Sequence, residues 1–317
     1  MKSVKVLGAT VAFSLTGGLA QAADVVVGVP SWPSAAATAH IIKVVMEDNL
    51  GLEVAMQSGS NAVIWEAMDR GSMHVHPEVW LPNQSNLHDK YVKTKGTVAQ
   101  NPNGVEASQG ICVTKATSEK HNITSIYDLT DPSKSVLFDT DGDGEGEMWI
   151  GEPGAASTAV EQIRAKSYGY DQTMKQVVMD MPLNWAALDA AEKAGKPYAF
   201  FCYTPHHVFS VYDLVMLKEP KHNVDTWKVV QPTDDPDWLA KSNADSAWDK
   251  AYLYVHYARS LEKDQPEAAM LLKHFKLNAD QVGQLSHHVV VEKKDPEVVA
   301  KEWVQENSSL VDSWLGQ

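Results

Sequence analysis

The sequence predicts an α/β protein made of two lobes with a cleft between them. Three observations carry this expectation. β-branched runs and helical periodicities alternate from Asp24 to Val79. The same alternation restarts near residue 135 and continues to Tyr203. From Pro236 onward the chain reads as mainly helical. Alternation of this kind implies a mostly parallel sheet with helices on both faces. No repeat of solenoid period and no low-complexity linker interrupts it.

Asp24 to Val29 is a β-branched run and reads as a buried first strand. Ala35 to Asp48 carries Ala, Ile, Val and Met at helical spacing, with Gly51 as its stop. Leu52 to Gln57 is a second strand, Asn61 to Arg70 a helix closed by Gly71, and Met73 to Val79 a third strand. Gln109 to Thr114 reads as a further strand. The second block has strands at Ser135 to Phe138, Gln176 to Met179 and Tyr198 to Tyr203. Its helices run from Ala155 to Tyr168 and from Leu183 to Ala194. Val208 to Leu217 reads as a strand leading out, and Asp245 to Glu262 and Pro266 to Phe275 as helices. The expected division places 23–109 with 211–317 in one lobe and 110–210 in the other.

Lys2 and Lys5, a short apolar stretch from Val6 to Leu19, and Ala20-Gln21-Ala22 read as a secretory signal peptide over 1–22. The stretch is too short for a spanning helix. The expectation is a soluble exported chain, most simply periplasmic and monomeric. A net charge of −14 argues against nucleic acid and anionic membrane as partners. Arg70, Arg164 and Arg259 are the only arginines, although Arg is the usual fork for carboxylate ligands. Cys112 and Cys202 allow either a disulfide or two buried thiols.

Ten tryptophans stand against six phenylalanines. Trp carries an N–H that needs a partner, and its face holds quaternary ammonium groups best. Trp32, Trp80 and Trp149 lie in loop contexts at element ends, where binding residues concentrate. Trp32, Trp65, Trp149 and Trp185 are therefore candidates for an aromatic cage, with Trp80 and Tyr203 behind them. For Trp65 and Trp185, which lie in helical patterns, packing is an equal alternative. Glu152, in a Gly-Glu-Pro-Gly turn beside Trp149, would reinforce attraction for a cation and oppose a ligand carboxylate.

The run Asp139-Thr140-Asp141-Gly142-Asp143-Gly144-Glu145-Gly146-Glu147 reads as a calcium loop. Asp139, Asp141 and Asp143 occupy positions one, three and five of the EF-hand pattern, with Gly144 at the turn. Glu145 could offer its backbone carbonyl, and Glu147 sits at position nine. Position twelve is Ile150, so the EF-hand itself is excluded. A structural Ca2+ site is the expectation, and a solvated acidic turn the alternative. A rival reading takes His74 and His76, with Glu78 nearby and His206 or His207 as added ligands, as a zinc site of an exported hydrolase or of a metal-uptake binder.

The segments around Trp32, Asn61 to Met68 and Glu78 to Pro82, with Tyr203-Thr204-Pro205-His206-His207 and Tyr212-Asp213-Leu214, resemble substrate-binding proteins of ABC importers for glycine betaine and related osmolytes. The resemblance implies a type II-like periplasmic-binding-protein fold whose lobes close on a hinge. It implies a trimethylammonium group caged by aromatic side chains, with His206 at the site, and delivery to a membrane permease and its ATPase. Two departures stand out. His207 replaces an aromatic of the family segment, and the acidic run is an insertion. With that insertion the chain is most similar to the trimethylamine N-oxide-binding branch. Trimethylamine N-oxide is thus the expected ligand, with glycine betaine or choline as alternatives.

Overall fold

The computed structural model describes residues 23–316. The expected signal peptide lies outside them. No helix among the described residues is long and apolar enough to cross a membrane.

Ten strands form one sheet. They are β1 (Val25–Val29), β2 (Val54–Ser58), β3 (Val75–Leu81), β4 (Val98–Gln100), β5 (Val105–Thr114), β6 (Gly146–Gly151), β7 (Met174–Val178), β8 (Ala199–Thr204), β9 (Leu214–Met216) and β10 (Ala251–Ala258). The order is β2-β1-β3-β10-β5-β8-β6-β7, with β4 on β10 and β9 on β5. β1 runs parallel to β2 and β3, and β6 runs parallel to β7 and β8. Antiparallel β10 and β5 join the two parallel groups.

β5 is the crossing element. Val105 to Ala107 pair with β10, whereas Ser108 to Val113 pair with β8. One strand thus belongs to both halves. The carboxyl ends of β1, β3, β6 and β8 carry Trp32, Trp80, Trp149 and Tyr203, where ligands of open α/β sheets bind.

The helix Pro33–Leu50 starts with Pro at its first position and ends at Gly51 in the left-handed region. It packs on Pro296–Glu306 and Ala279–Val290, so the C-terminal helices return to the first half. The segment 214–248, expected with that half, packs on the second instead. Arg164 donates to Glu219 and to the carbonyl of Ser246, and Trp248 donates to Glu161.

Three further expectations are corrected. Ser135–Phe138 is helical, because Asp131 caps the Ser133 amide and Pro132 opens a turn that runs on as a 3-10 segment. The strand of that region is β6. Residues 245–262 hold β10, not a helix. Ala251, Leu253, Val255 and Tyr257 are all buried at a period of two, and the sheet covers β10 on both edges. A short apolar run does not by itself separate the two periods. Val208–Leu217 splits into one helical turn, Val208–Val211, and β9.

Cys112 and Cys202 are bonded to each other between β5 and β8, which settles the choice between disulfide and thiols. The bridge closes a sequence separation of 90 residues. A loop of that length supports about 4 kcal/mol of stabilisation through the unfolded chain. Replacing both cysteines by Ala is expected to lower guanidinium-unfolding stability by that order. A loss under about 1 kcal/mol would show that the bridge adds little.

Candidate functional site

A small, partly open cavity of about 50 Å³ lies where the two halves face each other. A single buried water needs roughly 10–15 Å³ on this measure, so the space suits a ligand of a few heavy atoms. Trp32, Trp80, Trp149, Phe201 and Tyr203 supply its aromatic walls.

The walls from the first half are held by one carboxylate. Glu78 Oε1 accepts hydrogen bonds from Trp32 Nε1 at 2.7 Å, Trp80 Nε1 at 3.0 Å and Ser34 Oγ at 2.9 Å. Glu78 is 2% exposed, and its second oxygen has no hydrogen-bond partner. Burial pushes its carboxyl up to about 7, against the opposing pull of those three donors. Glu78 and Trp80 are two apart on β3 and share a face. That spacing was the sequence signal for Glu78, which was read as part of a zinc motif and of the Glu78–Pro82 segment but not as a holder of the tryptophans.

The second half supplies Trp149 and Tyr203. Trp149 Nε1 donates to the Met179 carbonyl at 2.9 Å. Tyr203 meets Trp80 edge-on at 5.0 Å. Glu152 lines the cavity and accepts from Ser31 Oγ across the cleft. Burial raises its carboxyl pKa, and nearby Asp180 adds to the rise. Ala155, Ala156 and Ser157 bring the N-terminus of the helix Ala156–Tyr168 to the cavity. No side chain caps that end, so its positive dipole lies at the ligand space uncompensated by a cap. Gly151 makes this approach possible. Its φ is +135°, and a Cβ there would lie 2.2 Å from Thr158 Oγ1.

Three expected cage residues stand one layer back. Trp65 is fully buried, stacks on Tyr91 and donates to Gln84. Trp185 packs against Trp149 at 5.6 Å and His206 at 4.9 Å. His206 also meets Tyr203 at 4.7 Å and lines a separate groove with His207 and His287. Sequence reasoning missed Asn61, Asn83, Gln84 and Gln109, which line the cavity. Amides carry no compositional signal.

In the acidic hairpin, carboxylate oxygens of Asp139, Asp141, Asp143 and Glu147 lie within 4.8 Å of one another. Glu147 is buried and ties the loop by accepting from Thr140 N and Oγ1, while its other oxygen has no partner. Lys175 reaches Asp141 at 3.1 Å and Asp143 at 3.2 Å, and both carboxylates raise its pKa. Glu145 is exposed and stands outside the cluster. The zinc motif does not assemble. His74 Nδ1 accepts from the Val26 amide, while His76 faces Asn61. Among the described residues, the acidic hairpin is the sole group of three or more side chains with metal-ligand spacing.

Glu78 generates a prediction. Its folded pKa of about 7 lies above the ordinary 4.5, so between those values the folded state binds more protons than the unfolded state. Its contribution is present below pH 4.5 and is lost, by about 3 kcal/mol, as pH rises through 7. Glu78→Gln is expected to flatten the melting-temperature profile over that window. An unchanged profile would place the titration elsewhere.

The comparisons with known proteins follow the same line. The model of the substrate-binding domain of the ABC-type glycine betaine transport system matches residues 23–306. A glycine betaine/proline betaine-binding periplasmic protein of Salmonella typhimurium is 32% identical over 38% of this chain and 40% of its own length. A glycine betaine-binding periplasmic protein of Dickeya dadantii is 26% identical over 66% of this chain, and the match spans 64% of that relative. A trimethylamine N-oxide-binding protein of Pelagibacter ubique is 24% identical over 92% of both chains. Lactococcal OpuAC, closed on glycine betaine, shares the fold with a TM-score of 0.71 at 23% identity, over 92% of this chain and 98% of that one. A choline-binding protein with choline gives 0.72 at 16% identity, over 92% and 91%. The chain belongs to the family of substrate-binding domains of ABC-type glycine betaine transport systems.

Proposed function

We propose that the chain captures a small methylated amine between its lobes, trimethylamine N-oxide before glycine betaine or choline, and delivers it to an inner-membrane ABC permease and its ATPase. It acts as an exported periplasmic monomer and not as an enzyme. The observation that carries this reading is the make-up of the cavity wall. Three tryptophans, a tyrosine and the carboxylate of Glu152 line it, with Glu78 directly behind two of the rings, and among the described residues no lysine or arginine lines it. Aromatic faces and nearby negative charge favour a quaternary ammonium group.

The choice among ligands rests on charge and size. A betaine carboxylate would enter a site that holds Glu152 and offers no cationic partner. The N-oxide replaces that carboxylate group by a single oxygen, which suits the small cavity and the helix N-terminus. The name of the Pelagibacter relative supports the same choice. Glycine betaine remains the second reading, because the family and the other named relatives are described by it.

The hairpin is proposed to hold a structural Ca2+ through Asp139, Asp141, Asp143 and Glu147. All four donors are hard oxygens, as calcium prefers. Bound there, the ion would offset the mutual repulsion of these carboxylates that Lys175 now offsets in part.

Titration of the N-oxide, betaine and choline, followed by tryptophan fluorescence and calorimetry, is expected to show saturable binding with the N-oxide preferred. Preference for betaine would refute the charge argument, and silence with all three would refute the cage. Trp149→Ala is expected to abolish binding while the far-ultraviolet spectrum stays unchanged. Chelation of calcium is expected to lower the melting temperature by several degrees. An unchanged melting curve after chelation would refute the hairpin assignment.

A further inference from the structure

Aromatic walls account for a cation, but not for the amides that share the cavity. Asn61 opens the helix Asn61–Arg70, and Gln84 follows β3. Each has a buried group behind it. Trp65 Nε1 lies 2.8 Å from Gln84 Oε1. An indole N–H only donates, so the atom facing it is the amide oxygen. The NH2 group of Gln84 is the other branch of that amide, and it has no protein partner among the described residues.

The second amide is fixed by a tautomer. His76 Nδ1 accepts from the backbone N–H of Glu78 at 3.3 Å. A backbone N–H cannot accept, so Nδ1 is unprotonated and Nε2 carries the ring proton. Nε2 lies 3.0 Å from Asn61 Oδ1, the one amide atom able to receive that proton. His76 is fully buried, and burial pushes its pKa down to about 3, which keeps the ring neutral. Asn83 and Gln109 differ, because they bond each other reciprocally at 2.6 and 3.0 Å.

We infer that Asn61 and Gln84 form a donor-only pole for an acceptor oxygen of the ligand, and that His76 and Trp65 are positioning residues holding both amides in that orientation. The inference rests on the proposed capture of a methylated amine and names what its non-cationic end must be. An oxide or carboxylate oxygen, which only accepts, fits two donors. A hydroxyl also has a proton to place, and the pole offers no acceptor for it. Tetramethylammonium has no oxygen and gains nothing there.

The test is calorimetric titration of trimethylamine N-oxide, glycine betaine and tetramethylammonium into the wild type, Trp65→Phe and Gln84→Glu. Wild type is expected to bind one of the two oxygen-bearing ligands more tightly than tetramethylammonium. Trp65→Phe keeps the ring but frees the amide to turn. It is expected to weaken that ligand about tenfold, the scale of one hydrogen bond to a charged group, and to leave tetramethylammonium unchanged. Gln84→Glu replaces a donor by an acceptor and is expected to weaken the oxygen-bearing ligand without weakening tetramethylammonium. It faces the cavity, so it carries the test if Trp65→Phe fails to fold. Equal losses for all ligands, or no loss in Gln84→Glu, would overturn the pole. Wild type that binds tetramethylammonium as tightly as the oxygen-bearing ligands would overturn the pole and leave the cage standing. Binding of none of the three would overturn both.

Discussion

One carboxylate oxygen organises the site. Glu78 Oε1 receives the indole N–H groups of Trp32 and Trp80 and the hydroxyl of Ser34, so two cage walls are positioned by a single buried atom. Burial of an ionised carboxyl is costly, and three donors recover only part of what water would supply. Its second oxygen remains unpartnered. Above the carboxyl's pKa of about 7 the folded protein therefore holds a negative charge short of compensation, directly behind the rings that would face a cation. A bound quaternary ammonium group supplies the missing charge without forming a hydrogen bond. Stability and function pull in opposite directions at this residue, as they do where a site is built for a ligand rather than for the empty protein.

The rest of the fold delivers groups to that centre from two sides. β5 runs through both halves, so bending along it moves Trp149, Glu152 and Tyr203 relative to Trp32, Trp80 and Glu78. Ser31 to Glu152 and Asn86 to Asp234 are hydrogen-bonded across the cleft. The helix that aims its N-terminus at the cavity is anchored deeper in its length. Arg164 is fully buried between Glu161 and Glu219 and also bonds the Ser246 carbonyl. This network ties the helix Ala156–Tyr168 to the segment 214–248, which bears Asp234. A buried charge network of this kind adds little net stability, but it fixes one arrangement of its neighbours.

How far the sequence could be read depended on the period of each signal. The first three strands and two helices were legible because β-branched runs and 3.6-residue spacing alternated cleanly between glycine stops. β10 was not, since Ala251 to Ala258 is too short and too rich in aromatic and apolar residues for its period of two to stand out from a helical one. At the site, Trp32, Trp80 and Trp149 were legible from their flanking Gly and Pro, although only Trp32 lies in a loop, with Trp80 inside β3 and Trp149 inside β6. Trp65 and Trp185 were overread, because a helical tryptophan does not show from its spacing whether it faces a ligand or a second shell of packing. Asn61 and Gln84 were invisible. An amide becomes a ligand group only through what holds its other end, and here those holders are Trp65 and His76.

The site therefore has a polarity that composition alone would not suggest. Negative charge from Glu78 and Glu152 gathers around the aromatic walls, while donors from Asn61, Gln84 and the N-terminus of Ala156–Tyr168 supply positive potential. A molecule with a methylated cation at one end and an acceptor oxygen at the other matches both. Under the proposed reading, distance separates such molecules. With the cation and the oxygen only one bond apart, as in an N-oxide, both poles can be met in a cavity of about 50 Å³. A longer zwitterion must carry its full carboxylate charge further from its cation, with no arginine or lysine to receive it.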